Sequence, residues 1–172
     1  MIIEIATLKD IPSIEKLLNS AYRGEGSKKG WTTEADLIKG EVRTDSEELK
    51  QILSQKDSVF LKCIKNDELI GCVNLQKENQ SIYLGMLSVN PDLQGSGTGK
   101  KLLLAAEEFA KQNKCNRIFM TVISVRTELI DWYKRNGYES TGETKPFPND
   151  FKSGIPNQKL EFLVFEKNIL AN

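Results

Sequence analysis

The sequence predicts one mixed α/β domain, residues 1–172, with a mostly antiparallel central sheet flanked by helices. Strand-like runs separated by the short polar turns "KND" and "KENQ" predict an antiparallel meander over residues 58–64, 68–76 and 81–89. A glycine-rich turn, an amphipathic helix and a continuous β-branched run come next, which predicts one β-α-β crossover and hence one parallel strand pair. No repeat, low-complexity segment or change in composition marks a linker between domains.

The segment before the meander predicts one strand and three helices. Residues 2–7 alternate apolar with polar or small side chains, which is typical of a strand with one buried face. Asp10 is placed to cap a helix that carries a proline in its first turn. Thr33 and Asp45 are expected to cap two shorter helices. The apolar residues of the Thr33 helix are Ala35, Leu37 and Ile38.

The segment after the meander supplies the crossover and the last strands. Residues 101–113 carry leucine and alanine at helical spacing, and residues 117–125 form a buried strand parallel to the one before the helix. Thr127 caps a helix that ends at the "NG" pair. Two final strands are predicted at 138–143 and 160–167. The connection between them, residues 144–158, contains three prolines, and its length is typical of a functional lid or of disorder.

Composition excludes several classes of function. Lysine plus arginine equals aspartate plus glutamate at 24 each, so no net field draws the protein to nucleic acid or to a membrane. The chain has no histidine, which excludes Ser-His and Cys-His catalysis, and we expect no metal. The spacing of Cys63, Cys72 and Cys115 favours reduced core thiols. Because Glu4 interrupts the apolar start, we expect neither a signal peptide nor a membrane span there, and a cytoplasmic location.

The glycine-rich turn between strand and helix is the most informative stretch. Gly95, Gly97 and Gly99 precede two lysines, and the free amides at the start of a helix bind phosphate well. A tight turn without a ligand is the alternative. A P-loop would need a glycine at Gln94 and a serine or threonine at Lys101, so that motif fails twice. The alternating glycines also depart from the dinucleotide-binding pattern.

Written as Gln94-x-x-Gly97-x-Gly99, the turn resembles the pyrophosphate-binding turn of the GNAT N-acetyltransferase superfamily. The stretch "MLSVNPDLQGSGTGKKLL" is similar to the strand, turn and helix of that family. A second stretch, "RTELIDWYKRNGY", resembles its later signature, in which an aromatic-Tyr pair is followed after three residues by glycine and an aromatic. Both stretches occur in the family's order. The resemblance implies the GNAT acyltransferase fold, whose sheet is splayed between its two parallel strands.

The resemblance also implies a binding site for acetyl-CoA as cosubstrate. Main-chain groups of Leu87 and Val89 are expected to pair with the pantetheine arm, since its amides resemble a peptide. The residues implied to wrap the pyrophosphate are Gln94, Gly95, Ser96, Gly97, Thr98, Gly99 and, adding charge, Lys100.

Acetyl transfer to an amine needs a proton for the departing thiolate, a polarised carbonyl and a route for the amine's proton. The resemblance points to Tyr133 as the proton donor and to the Leu87 main-chain N–H, near a bulge expected at Gly85, as the donor to the carbonyl. No carboxylate stands within residues 82–89, where relatives often have a base. Glu34 is the first candidate base, a water-relayed path is the alternative, and a solvated first-turn acid is the purely structural interpretation of Glu34.

The leading hypothesis is an enzyme that transfers acetyl directly to a primary amine of a small-molecule or peptide acceptor in a ternary complex. A non-catalytic acyl-CoA sensor and a nucleotide-binding protein are the alternatives. Arg126 stands where the family commonly has asparagine, and Arg23 with two nearby lysines suits either a carboxylate on the acceptor or a solvated basic loop. The sequence leaves the acceptor and homodimer formation open. Candidate acceptor-site residues are Tyr22, Arg23, Trp31, Glu34 and Phe147.

Overall fold

The computed structural model describes residues 1–23, 33–39, 43–93, 95–147 and 155–169. Its strands are β1 (Ile2–Ile5), β2 (Ile38–Lys39), β3 (Ser58–Lys65), β4 (Glu68–Glu78), β5 (Ser81–Val89), β6 (Arg117–Ile123), β7 (Glu139–Pro146), β8 (Ile155–Pro156) and β9 (Glu161–Asn168). Its α-helices are α1 (Ile11–Tyr22), α2 (Ser46–Ser54), α3 (Thr98–Gln112) and α4 (Thr127–Arg135).

The main sheet has the strand order β1-β3-β4-β5-β6-β9-β7. The β5 and β6 strands run parallel, joined by the crossover through α3, and the other neighbouring pairs are antiparallel. The meander β3-β4-β5 forms where the short polar turns predict it. Asn66 and Asp67 adopt φ of 52° and 61° in the first of these turns, and asparagine and aspartate tolerate that left-handed region better than most residues.

The parallel pair opens along its length. Between these two strands, pairing joins only Ser81–Tyr83 of β5 to Arg117–Phe119 of β6. Farther along, β5 pairs with β4 and β6 pairs with β9, but the two strands do not pair with each other. Beyond Tyr83, the β6-facing edge of β5 therefore has no ladder partner on β6, as the predicted splayed sheet requires.

The β5 strand contains a bulge opposite β4, in the part that no longer pairs with β6. Opposite Val73 of β4 lie two residues, Met86 and Leu87, and Met86 has φ of 54°. The predicted bulge is present, but its placement at Gly85 is wrong, because Gly85 keeps its cross-strand partner Asn74. A hydrogen bond stabilises this left-handed conformation of Met86, since the Ser88 hydroxyl donates to the Met86 carbonyl at 3.2 Å.

Helices cover both faces of the sheet because successive strand residues point in opposite directions. Leu61 on β3 packs in the core beneath α3 and α4, whereas its neighbour Phe60 packs in the core beneath α1 and α2. The α3 contribution is Leu102, Leu103, Ala106 and Ala110, the helical face that the sequence predicts.

The helix predicted after Thr33 is wrong. Residues 35–37 form a turn and Ile38–Lys39 form β2, which pairs with β8 from the proline-rich connection. Ile38 is buried against Ile123 and Leu160, so a tertiary contact overrides the weak local helical pattern. The side chain of Asn157 also donates to the Asp36 carbonyl, which holds the two segments together.

Cys63, Cys72 and Cys115 are buried free thiols, as the sequence predicts. Among the helices described, none has the length and apolar character needed to cross a membrane. Within the same residues, no three His, Cys, Asp or Glu side chains are grouped so that they could hold a metal ion. The cytoplasmic location and the metal-free reaction stay predictions.

Candidate active site

The glycine turn opens directly into α3. Gly95 and Gly97 have φ of 88° and 85°, a conformation that L-residues rarely adopt, and Gly97 is the N-cap of the helix without a side-chain cap. A Cβ added to either glycine would meet nothing within 4 Å, so the turn faces open space. The first intrahelical bond runs from Lys101 N–H to the Gly97 carbonyl at 3.0 Å, which leaves the preceding helical amides without an acceptor in the helix.

A cavity of about 580 Å³ lies between this turn and α4. Positive charge reaches it from Lys100, from Arg135 and from the α3 amino terminus, whose first turn has no acidic residue. Gln94, which the sequence assigns to the same turn, lies outside the described residues. The lining residues are Gly95, Gly97, Gly99, Lys100, Glu128, Asp131, Trp132 and Arg135.

A second cavity, of about 300 Å³, lies where β5 and β6 separate. Helix α4 borders both cavities, because Trp132 lines the first and its neighbour Tyr133 lines the second. The structure therefore brings Tyr133, Leu87 and Glu34 to one cavity, although they are far apart in the sequence. Trp31 lies outside the described residues, whereas Tyr22, Arg23 and Phe147 line this cavity as the acceptor-site hypothesis requires.

Tyr133 is 5% exposed and held by two aromatic neighbours. Its ring centroid lies 5.1 Å from that of Trp132 and 5.8 Å from that of Tyr138, both in edge-on arrangements. Burial raises the pKa of the Tyr133 phenol well above its ordinary value, so the group keeps its proton across the neutral and alkaline range.

Tyr22, at the end of α1, is fixed to the bulge of β5. Its hydroxyl donates a hydrogen bond to the Leu87 carbonyl, 65 residues away in the chain. Burial, with a smaller contribution from the charge of Glu34, raises the pKa of Tyr22 to about 12. The neutral phenol therefore holds the Leu87 carbonyl at the bulge of β5, beyond the part of the strand that pairs with β6.

Glu34 is neither helical nor solvated. It is 9% exposed and lies between two arginines: Arg23 Nη1 pairs with one carboxylate oxygen, and Arg126 Nη1 lies 3.5 Å from the other. Arg23 is itself 3% exposed, and burial lowers its pKa against the opposing effect of Glu34. The solvated interpretations of Glu34 and of Arg23 are thus wrong, since both side chains are buried in one ion-pair cluster.

Arg43 is a charged residue of the second cavity that sequence reasoning missed. Its guanidinium carbon lies 5.7 Å from the centroid of the Tyr22 ring, in cation-π geometry, and its backbone N–H donates to Asn19 Oδ1 at 2.5 Å. Across the cavity, Phe147 and Phe162 stack with centroids 5.2 Å apart and add an apolar wall. No local pattern marks Arg43, because it reaches the site through contacts with α1.

The splayed parallel pair, with a glycine turn and a helix amino terminus beside it, defines the acetyltransferase class of α/β fold. A model described as the acetyltransferase (GNAT) family matches residues 12–138, more than half of the chain. The chain belongs to the GNAT acetyltransferase family, which confirms the family and the fold predicted from the sequence. Acetyl-CoA-dependent acetyl transfer, the predicted enzyme class, is the class of that family.

Individual relatives are distant. The chain is 30% identical over 103 residues to the probable N-acetyltransferase 14 of Xenopus tropicalis, covering 56% of this chain and 50% of the relative. It is 31% identical over 67 residues to the spermine/spermidine N(1)-acetyltransferase of Bacillus subtilis, covering 38% and 44%. The chain thus spans about half the length of these curated relatives. In fold, it is similar to the PaiA N-acetyltransferase of Thermoplasma acidophilum, solved in complex with coenzyme A, with TM-score 0.67, 21% identity and 98% and 99% coverage.

Proposed function

We propose that this protein is an acetyl-CoA-dependent N-acetyltransferase that transfers the acetyl group directly to a primary amine inside a ternary complex. The observation that carries the proposal is the continuity of the site: α4 borders both the glycine-turn cavity and the cavity that contains Tyr133. An extended cosubstrate with an anionic end and a thioester end matches that layout. The family membership and the coenzyme A complex of the Thermoplasma acidophilum structure support the same assignment.

The chain's own groups fit the cosubstrate at each point. The open space over Gly95 and Gly97, with the free amides of the α3 amino terminus and Lys100, suits a pyrophosphate. Gln94, Ser96, Thr98 and Gly99 complete the proposed turn. Past Tyr83, β5 has no ladder partner on β6, which suits pairing with the amides of the pantetheine arm, and Leu87 and Val89 are the residues proposed for it.

The proposed reaction joins the amine nitrogen to the acetyl carbonyl carbon while the carbon–sulfur bond breaks. The Leu87 N–H, in the bulge, donates to the carbonyl oxygen as negative charge develops there. Tyr133 gives its proton to the sulfur. The attacking amine loses one proton, which restores the Tyr133 phenol, so the products are the amide and the free thiol. Because burial raises the pKa of Tyr133, its proton would move to the sulfur only as the carbon–sulfur bond breaks and negative charge develops there.

The amine's proton has two candidate routes. Both carboxylate oxygens of Glu34 have arginine partners, so an incoming ammonium group would have to compete with two guanidinium groups for this base. That arrangement favours the water-relayed path, with Glu34 as a positioning residue that holds Arg23 and Arg126 at the cavity wall. A direct base role for Glu34 is the competing assignment.

Thiol release from acetyl-CoA over a library of primary amines tests the function. The wild-type protein should release thiol with at least one amine, and Tyr133→Phe should lower kcat about 100-fold because the proton donor is lost. Tyr138→Phe is the matched control: its hydroxyl is buried without a partner among the described residues, and its ring packs on Tyr133 without lining either cavity. It should keep wild-type kcat.

Two results would contradict parts of the proposal. Full activity of Tyr133→Phe alongside an active wild type would mean that another group protonates the sulfur. Tight coenzyme A binding by calorimetry, with no turnover of any amine, would favour the non-catalytic sensor instead.

A further inference from the structure

We infer that the acceptor carries an anionic group, a carboxylate, within a few bonds of the amine that is acetylated. This inference rests on the proposed function and names the chemical class of its acceptor. It follows from the charges that line the second cavity and from the position of Arg43 beside Tyr22.

The described walls of the second cavity carry an excess of positive charge. Three arginines, Arg23, Arg43 and Arg126, and one carboxylate, Glu34, line it. Glu34 lies against Arg23 and Arg126, so its charge is committed to those two. Among the described residues, no carboxylate lies within ion-pair distance of the Arg43 guanidinium, which packs instead over the Tyr22 ring.

Among the described residues, the Arg43 guanidinium has no carboxylate partner in this partly enclosed cavity, so it is set to bind an anion from solution. Arg presents its donors in a planar fork that matches a carboxylate, and the contact with the Tyr22 ring restricts where the Arg43 guanidinium can lie. The short segment that begins at Arg43 is held in place by α1, because Asn19 bonds the backbone N–H groups of Arg43 and Thr44 at 2.5 and 3.0 Å. The cation is therefore positioned before an acceptor arrives.

Tyr22 sets the spacing between anion and amine. Its hydroxyl binds the Leu87 carbonyl, at the proposed reaction point, while its ring contacts Arg43. The anion site and the thioester are thus separated by about one tyrosine side chain. A cavity of about 300 Å³ is at the small end for ligand sites, which fits an amino acid or a similarly short amino carboxylate.

The same charges disfavour a polyamine. Such a molecule carries further ammonium groups beside the reacting one, and these would face an excess of arginines in a partly enclosed cavity, where solvent screens like charges less than in bulk water. The apolar wall of Phe147 and Phe162 instead suits an apolar side chain on the acceptor.

Matched acceptors test the inference directly. For L-phenylalanine and L-leucine, kcat/KM is measured at saturating acetyl-CoA against the decarboxylated amine and the primary amide of each, with spermidine as a polycation. The kcat/KM of each free amino acid should exceed that of its counterparts without a carboxylate by about 10- to 100-fold, the usual effect of a hydrogen-bonded charge pair. Arg43→Gln should bring that ratio to about one, and Arg43→Lys should keep part of it because the charge remains.

Lys50→Gln is the control for net charge, since Lys50 is an exposed residue of α2 outside both cavities, and it should keep the wild-type ratio. Equal or faster acetylation of the decarboxylated amines or of spermidine would overturn the inference while leaving the enzyme intact. So would a ratio that Arg43→Gln does not change.

A binding measurement keeps the two failures apart. Calorimetry with N-acetyl-L-phenylalanine and its amide needs no turnover, and the carboxylate form should bind at least 10-fold more tightly in an Arg43-dependent way. If no amine is acetylated but this preference is found, the proposed function fails and the anion site holds. If thiol is released with amines but N-acetyl-L-phenylalanine binds no more tightly than its amide, the anion site fails and the proposed function holds.

Discussion

Replacing Glu34 by glutamine tests the most strongly constrained part of the site. The substitution keeps the shape of the side chain but removes the charge that lies between Arg23 and Arg126. The side chains of all three are nearly enclosed, with exposed fractions of 11%, 1% and 8%. Two guanidinium groups therefore lose their shared anion in a place where water replaces it poorly.

The expected loss is large for a single amide substitution. Removing one partner of a buried ion pair costs about 3–5 kcal/mol, and the carbonyl oxygen of glutamine retains part of the hydrogen bonding, so we expect about 2–3 kcal/mol. In a protein of this size each kcal/mol shifts Tm by about 2–4 °C, which gives a fall of about 4–12 °C. Urea unfolding followed by circular dichroism measures the free energy, and a thermal melt measures Tm.

Controls separate stability from chemistry. Glu47→Gln makes the same change at a side chain that is 82% exposed and should alter the free energy of unfolding by less than about 0.5 kcal/mol. Arg23→Met combined with Glu34→Gln should recover part of the loss, because one uncompensated cation is removed. A Tm of Glu34→Gln within 1 °C of wild type would refute the buried-cluster reasoning. At a temperature at which both proteins are folded, a fall in kcat of about 100-fold or more for Glu34→Gln would make Glu34 the base, whereas a kcat close to wild type would support the water-relayed path.

Two further predictions concern the glycine turn and the amino-terminal segment. Gly97→Ala should cost about 1 kcal/mol of stability because φ is positive, and it should weaken coenzyme A binding at least 10-fold in calorimetry, since its Cβ would enter the open space proposed for the pyrophosphate. The pKa of Asp10 is lowered: partial burial acts against this, but hydrogen bonds from Thr7 and Lys62 outweigh it. Its contribution should be present above about pH 4 and lost as pH falls through the folded-state pKa, so Asp10→Asn should remove that part of the pH dependence in urea unfolding between roughly pH 2 and 5. Unchanged coenzyme affinity, or an Asp10→Asn curve parallel to wild type, would contradict these assignments.

The glycine turn, the proposed coenzyme site, was predictable because its signals are local. The glycines, the following lysines and the amphipathic helix are contiguous, and the observed α3 begins at Thr98, immediately after the turn. The meander and the crossover were equally predictable, since polar turns and a change from strand to helix periodicity mark the ends of their elements. The bulge was misplaced at Gly85 because glycine is the usual carrier of a positive φ, whereas here Met86 adopts it.

The acceptor half was not predictable in the same way. Residues 33–39 have a weak helical pattern, but pairing of β2 with β8 decides their conformation, and no local signal specifies that long-range contact. The partners of Glu34 lie on either side of it in the chain, Arg23 before and Arg126 far beyond. Arg43 gains meaning only from its position over the Tyr22 ring. Each is an ordinary charged residue until the fold brings them together.

This division explains why the glycine turn alone cannot identify the acceptor. In the proposed complex, the turn binds the cosubstrate that every acceptor shares, through backbone amides that carry no information about the amine. The proposed acceptor contacts come instead from side chains of α1, the Arg43 segment, β5 and the start of α4, all of which line the second cavity. Substitutions at Arg43 and Glu34 can therefore change the acceptor without touching coenzyme binding, whereas substitutions in the turn should weaken coenzyme binding for every acceptor alike.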